Sequence, residues 1–266
     1  MQRYIKLDSF TAVGPGETAN VVLQTGSRYD EIHLKSNQID QIERVTLTLN
    51  AVELFSLTLD ELKMLDAYNR VEYISTGHIS LPLGLNEAVM LDAQVATGLV
   101  TGPGDNAVLE VKFADTAISP TLKGFANVSA HNGVRARVRR FIRYTIPVTG
   151  AGQIDFTSLV KGPDVMRMFF KSALIEKLEI KQNDRTVFEL DEADNAYLLD
   201  RAFKTAPAGY FVFDSIKRDY PVADSMSTQW QNLNFRLTVA EGGAQNISVL
   251  VEQVDQTERA DWRRAS

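Results

Sequence analysis

No cysteine occurs among the 266 residues, which excludes disulfide frameworks, thiolate nucleophiles, Cys-ligated zinc and iron–sulfur clusters together. Stability must come from packing, and the chain is expected to be made and folded in a reducing cytosol. Histidine is nearly as scarce, with three copies at His33, His78 and His131. None stands at His-x-His or His-x-x-x-His spacing, so the clustered ligands of a metal-dependent β-barrel oxygenase are missing. The minimal parts for acyl transfer and nucleotide cleavage are missing too: there is no Gly-x-Ser-x-Gly elbow and no Gly-x-x-x-x-Gly-Lys-[Ser/Thr] loop. No apolar run approaches the roughly 18 residues of a membrane helix, and Met1 to Phe10 carry Arg3 and Lys6 in place of a signal-peptide core. Without such a signal, the sequons at Asn127 and Asn246 are read as chance. Positive charge is in short supply, 28 Lys and Arg against 34 Asp and Glu for a net −6, which argues against a chain-wide nucleic-acid footprint. The expectation is a protein that is not an enzyme.

What is present is mostly strand. Val45-Thr46-Leu47-Thr48-Leu49, Leu233 to Val239 and Ile247 to Val251 place apolar residues at every second position, the signature of strands with one buried face. Turn chemistry separates such runs at Gly14-Pro15-Gly16, Gly102-Pro103-Gly104-Asp105, Asn132-Gly133, Gly150-Ala151-Gly152 and Gly242-Gly243, favouring antiparallel pairing. Two helices are predicted, over about Thr58–Tyr68 and Glu192–Arg201. In the first, Thr58 and Glu61 have capping-box spacing and Leu59, Leu62 and Leu65 form a stripe.

An internal repeat sets the organisation. The segment from Ile42 to Leu57 lines up without a gap on Ile175 to Leu190, with Ile, Glu, Asn, Phe and Leu identical at 42/175, 43/176, 50/183, 55/188 and 57/190. The offset is 133 residues, half the chain. Each copy reads as a strand, a turn at Asn50 or Asn183 where Asn tolerates a left-handed backbone, a second strand and a helix, with Leu65 and Leu198 equivalent. The predicted fold is all-β: two tandem jelly-roll β-sandwiches, a double jelly roll, with one short helix inserted in each, over residues 1–133 and 134–266. Some 133 residues leave room for about eight strands in each half.

Charged clusters supply the remaining candidates. Glu189, Asp191, Glu192, Asp194 and Asp200 offer oxygen ligands without the spacing of a calcium loop, and helix-dipole compensation explains them more simply. A carboxylate pair for glycoside hydrolysis is permitted by composition but picked out by nothing. Arg135, Arg137, Arg139, Arg140 and Arg143 fall within nine residues, and a strand would put the first three on one face. Such a row either meets phosphate or pairs with carboxylates of the other half or of a neighbouring subunit, and the negative net charge favours the second. The tail repeats the mixture in Trp262, Arg263 and Arg264. These eight residues are the candidate subunit or membrane-proximal interface. A rival reading, a tandem β-sandwich that binds carbohydrate or a receptor, would display Tyr29, Tyr68, Tyr210 and Trp230 on loops.

The succession of Tyr4 to Phe10, the Gly14–Gly16 turn, the Ile42–Phe55 hairpin, the Leu59–Tyr68 helix, Arg139-Arg140-Phe141 and the Ile247–Val254 strand followed by Trp262 resembles the double jelly-roll major capsid proteins of tailless icosahedral bacteriophages with an internal membrane. The corticovirus type is nearest. The resemblance implies a homotrimer of pseudo-hexagonal outline, shells tiled by such capsomers around a lipid membrane, and assembly in the host bacterial cytoplasm. Its implied partners are further copies of the chain, vertex and membrane proteins of the virion and the viral lipid, without direct sequence-specific nucleic-acid binding. It implies no cofactor except that some such virions are stabilised by calcium, for which no ligand transfers to a residue here.

Overall fold

In chain order the first half forms β1 (Arg3–Lys6), β2 (Thr18–Val22), β3 (Arg28–Ser36), β4 (Ile42–Leu49), β5 (Val52–Thr58), α1 (Leu59–Tyr68), β6 (His78–Pro82), β7 (Leu99–Val100), β8 (Ala107–Phe113) and β9 (Leu122–Ser129). The second half runs through the same series: β10 (Arg137–Val148), β11 (Gly152–Phe156), β12 (Asp164–Lys171), β13 (Ile175–Gln182), β14 (Arg185–Asp191), α2 (Glu192–Arg201), β15 (Tyr210–Asp214), β16 (Met226–Ser227), β17 (Leu233–Val239) and β18 (Gln245–Gln256). These elements come from a computed structural model, which describes residues 3–69, 77–85, 88, 94, 97–130, 135, 137–218, 220–221, 223–242 and 245–256.

Strand order shows that the duplication is one of topology. The first half has sheets β1-β9-β3-β6, with β7 on β3, and β2-β8-β4-β5. The second has β10-β18-β12-β15, with β16 on β12, and β11-β17-β13-β14. Each strand of one half therefore matches the strand nine places later. The strand pairs whose register the described residues define run antiparallel, and long connections carry the chain between sheets, as in a jelly roll.

The irregularities repeat as well. Register shifts interrupt β4 against β8 between Ile42 and Arg44, and β13 against β17 between Ile175 and Lys177. Others fall at Leu47/Thr48 opposite β5 and at Ile180/Lys181 opposite β14. These bulges place Leu54 and Val187 as the extra residues of β5 and β14, a local kink that a family keeps when it shapes the sheet.

Both hairpins turn on an Asn. Asn50 and Ala51 have φ of 51° and 63°, and Asn183 and Asp184 have 47° and 66°, the paired left-handed residues of a type I′ turn. The Asn50 N–H donates to the Asn106 carbonyl at 2.8 Å while its side-chain Oδ1 accepts the Asn106 N–H at 2.9 Å. Asn183 does the same with Asn232, at 2.8 and 3.2 Å. An Asn at this point ties the hairpin tip to the loop entering β8 or β17, which Gly could not do.

Alternation fills the interior. Val45, Leu47, Leu109, Val111, Ile32 and Val128 are fully buried in the first half. In the second, Phe170, Leu178, Ile180, Phe235, Leu237, Val249 and Val251 meet in one core drawn from both sheets. Each such side chain contributes about 1.5–3 kcal/mol relative to exposure. The capping box of α1 is formed: Thr58 Oγ1 accepts from the Glu61 N–H, and Glu61 Oε2 accepts from the Thr58 N–H at 2.9 Å. The second helix spans the expected residues and is capped by Asp191, which accepts from the Asp194 N–H at 2.8 Å.

Two compact units result, one reaching to Phe141 and taking in the end of β18 from Asp255, the other running from Ile142 to Val254. They divide inside β10 and β18, whereas the turn at Asn132-Gly133 expected to separate the halves lies outside the described residues.

Candidate functional site

The arginine row does not form one exposed face. Arg135 precedes β10; its Nε donates to the Val100 carbonyl at 2.8 Å and its Nη2 to Asp105. Asp105, with a side chain 1% exposed, also accepts from the Gly102 N–H and from Asn50 Nδ2. Val138 and Arg139 are both buried, which breaks the alternation that a flat strand would give. Arg139 Nη1 donates to the Gly84 carbonyl at 2.9 Å, and its guanidinium lies 5.0 Å from the Phe141 ring centroid. Arg140 bonds to Asp255 at 3.0 Å and to the Glu53 carbonyl at 3.1 Å. Three of the five are thus engaged within the first unit. Arg137 is half-buried and Arg143 exposed, while Trp262, Arg263 and Arg264 lie outside the described residues.

The acidic candidates resolve into local roles. Asp191 caps α2, Glu192 and Asp194 occupy its first turn, and Glu189 pairs with Lys177 at 2.5 Å. Among the described residues no three His, Asp or Glu side chains converge to hold a metal ion. Of the four aromatics that a binding module would display, Tyr29 and Tyr68 are fully buried, Tyr210 is half-buried, and Trp230 alone is exposed. Burial pushes the Tyr29 hydroxyl up to about 12, and the hydroxyl donates to the Gln24 carbonyl at 2.6 Å. His33 sits on β3, stacked on Phe125 with ring centroids 4.6 Å apart, and its Nδ1 shares a hydrogen bond with Ser80. Burial first and His78 second hold His33 below its ordinary value, although Glu31 lies 3.4 Å from Nε2.

Sequence reasoning missed two features. Glu252, Arg167 and Asp214 stand side by side on β18, β12 and β15 with their side chains at most 1% exposed, Arg167 lying 3.3 Å from each carboxylate. Lys204 reaches Asp214 at 3.1 Å. The signal was an arginine inside the apolar run Val165 to Phe170. The other is an apolar surface on the second unit, where Val187 is 47% and Tyr197 60% exposed. Comparing the two halves position by position for burial, rather than for residue type, is what reveals it.

A search of curated proteins by sequence finds no match. Family models do match both halves: the viral coat protein P2 N-terminal domain over residues 4–129, and the viral coat protein P2 C-terminal domain over residues 138–257. Among solved structures, the chain resembles the major capsid protein P2 of bacteriophage PM2, with TM-score 0.87, 19% identity and complete coverage of both chains. The PBCV-1 virus capsid protein follows at TM-score 0.67 and 9% identity, covering 96% of this chain and 93% of that one. The STIV MCP has the same TM-score and identity, with 96% and 97% covered. At these identities the structures establish the fold, a double jelly roll, while the paired domain models establish kinship. Two jelly rolls in tandem, each matched by its own domain of one coat protein and in the same order, place this chain in the viral coat protein P2 family, as a structural protein of the virion.

Proposed function

We propose that the chain is a major capsid subunit that associates into homotrimers of pseudo-hexagonal outline, which tile an icosahedral shell around an internal membrane. The observation that carries this reading is the duplication itself, which extends to strand order, bulge positions and the Asn-based hairpin tips. Three chains so built present six near-equivalent sandwiches, and closed cyclic symmetry lets each chain bury two sides. Family membership supports a coat role over the carbohydrate- or receptor-binding alternative, and the burial of Tyr29 and Tyr68 removes half of that alternative's proposed surface.

Within this reading Arg137 and Arg143, together with Trp262, Arg263 and Arg264, are the arginine-row and tail positions assigned to contacts with other subunits or with lipid. Arg135, Arg139 and Arg140 serve the fold of the first unit instead. Light scattering on the purified chain across protein and salt concentrations tests the proposal. A stable species near three times the chain mass of 29.6 kDa is expected, and a monomer under all conditions would overturn it. Partners such as vertex proteins, membrane proteins and viral lipid follow from the same reading and are tested by co-assembly with those components.

A further inference from the structure

Leu54 and Val187 occupy the same bulge of β5 and β14, yet Leu54 is 2% exposed and Val187 is 47% exposed. The neighbouring pairs differ in the same sense: Phe55 and Leu57 are buried, Phe188 and Leu190 only half-buried. Backbone and residue class are alike, so the cause is what lies above the strand. In the first unit the start of β10 does the covering. Phe141 meets Phe55 edge-on with ring centroids 6.4 Å apart, Arg139 lines the same small gap as Leu54, and Arg140 bonds the Glu53 carbonyl. Among the described residues of the second unit, no segment does this for Val187, and α2 leaves Tyr197 60% exposed.

The repeat identifies what is missing. In its own sheet β10 takes the place that β1 takes in the first, the edge strand beside the last strand of the series. By that correspondence the strand equivalent to the cover of β5 is β1. That strand is exposed along most of its length, with Tyr4 at 70% between the exposed Arg3 and Lys6. We propose that β1 of a second copy packs on the β14–α2 face of the second unit, with Tyr4 beside Val187 as Phe141 stands beside Leu54. Charge is complementary. β1 carries Arg3 and Lys6 and no acid, whereas residues 185–194 carry Glu189, Asp191, Glu192 and Asp194 against Arg185 alone. The contact joins unlike surfaces, and such heterologous contacts close into rings when the rotation allows. It rests on the self-association reading above and names the surface that reading needs.

The absence of cysteine makes the test clean. Copies carrying Tyr4→Cys and copies carrying Val187→Cys, with different tags, are mixed at an assembling concentration and treated with a short bismaleimide. A cross-linked product bearing both tags is expected from the mixture, and none from either variant alone. Val187→Asp is expected to raise the concentration needed for half-assembly at least about tenfold, the effect of roughly 1.4 kcal/mol, with thermal unfolding of the monomer unchanged because the residue is exposed there. If the parent is oligomeric by light scattering but the doubly tagged product is absent, or Val187→Asp assembles like the parent, this contact is overturned while self-association stands. If the parent is a monomer throughout, the self-association reading falls and this inference with it.

Discussion

Replacing Arg167 by Met is expected to be among the most damaging single changes in the second unit. The parent network balances two cations, Arg167 and Lys204, against two carboxylates, Asp214 and Glu252, all with side chains no more than 8% exposed. At 3.3 Å each contact of Arg167 corresponds to roughly 5 kcal/mol of Coulomb energy at an effective dielectric constant of about 20. Desolvating the guanidinium and the carboxylates consumes much of that gain, so the intact cluster adds little net stability. Removing one member is different, because the carboxylates stay buried after losing their shared cation. The cost is about 3–5 kcal/mol, and with an m-value of about 2 kcal/mol/M the urea midpoint of the second unit falls by about 2 M. Urea unfolding followed by hydrogen exchange of the β12 and β18 amides isolates that unit. The double change Arg167→Met with Glu252→Leu is expected to recover most of the loss, since Asp214 keeps Lys204 and the new side chains pack as hydrocarbon. A single variant within about 1 kcal/mol of the parent, or a double variant no better than the single, would refute the argument.

Asn50→Gly and Asn183→Gly keep the left-handed turn but lose the side-chain acceptor for the Asn106 or Asn232 N–H, and each is expected to cost about 1 kcal/mol in thermal unfolding, Asn50→Gly somewhat more because Asn50 Nδ2 also donates to the buried Asp105. A loss in both halves, larger at Asn50, would match these contacts, and no loss in either would show that the tip contact is replaced by water. His33 gives a pH dependence with a definite sign. Its folded-state pKa lies below the unfolded value, so the stability contributed by the neutral ring is complete above about 6.5 and is lost as the pH falls through its lower folded value. NMR titration of the ring should find that lower pKa, and His78→Ala should raise it toward the ordinary value; a His33 pKa above 6.5 would contradict the burial argument.

Much of the fold is written locally. Alternation at Val45–Leu49 and Leu233–Val239, the Thr58/Glu61 cap and the Asn50 and Asn183 turns each depend on residues within a few positions, so single-chain reading finds them. The half-chain offset then converts local elements into architecture. The candidate surface was less legible because a period of two presumes a regular strand. Arg135 stands before β10 begins, and Val138 and Arg139 are buried in succession, so the expected row of Arg135, Arg137 and Arg139 dissolves. The carboxylates and carbonyls that hold Arg135, Arg139 and Arg140 come from Asp105, Gly84, Glu53 and Asp255, positions that only the folded chain brings near.

The two halves diverge where their surroundings diverge, and this is the more general reading of the duplication. Ile42, Asn50, Phe55 and Leu57 keep their identities at 175, 183, 188 and 190 because strand pairing, the turn and the sandwich interior are common to both units. Register places Glu31, Asn127 and Pro82 in the first unit where Arg167, Glu252 and Asp214 stand in the second. The buried charge cluster therefore belongs to one copy of the fold and is not required by the fold. The helices part in the same way: Leu59 and Leu62 of α1 are buried, and at the matching positions of α2 stand Glu192, which is exposed, and Asn195, which is buried and donates from Nδ2 to the Val212 carbonyl at 2.8 Å. A duplicated strand that stays apolar at Val187 while its own unit leaves it uncovered is then informative. Solvent exposure alone would favour a polar residue at that bulge, and the proposed cover by β1 of a second copy accounts for an aliphatic one there.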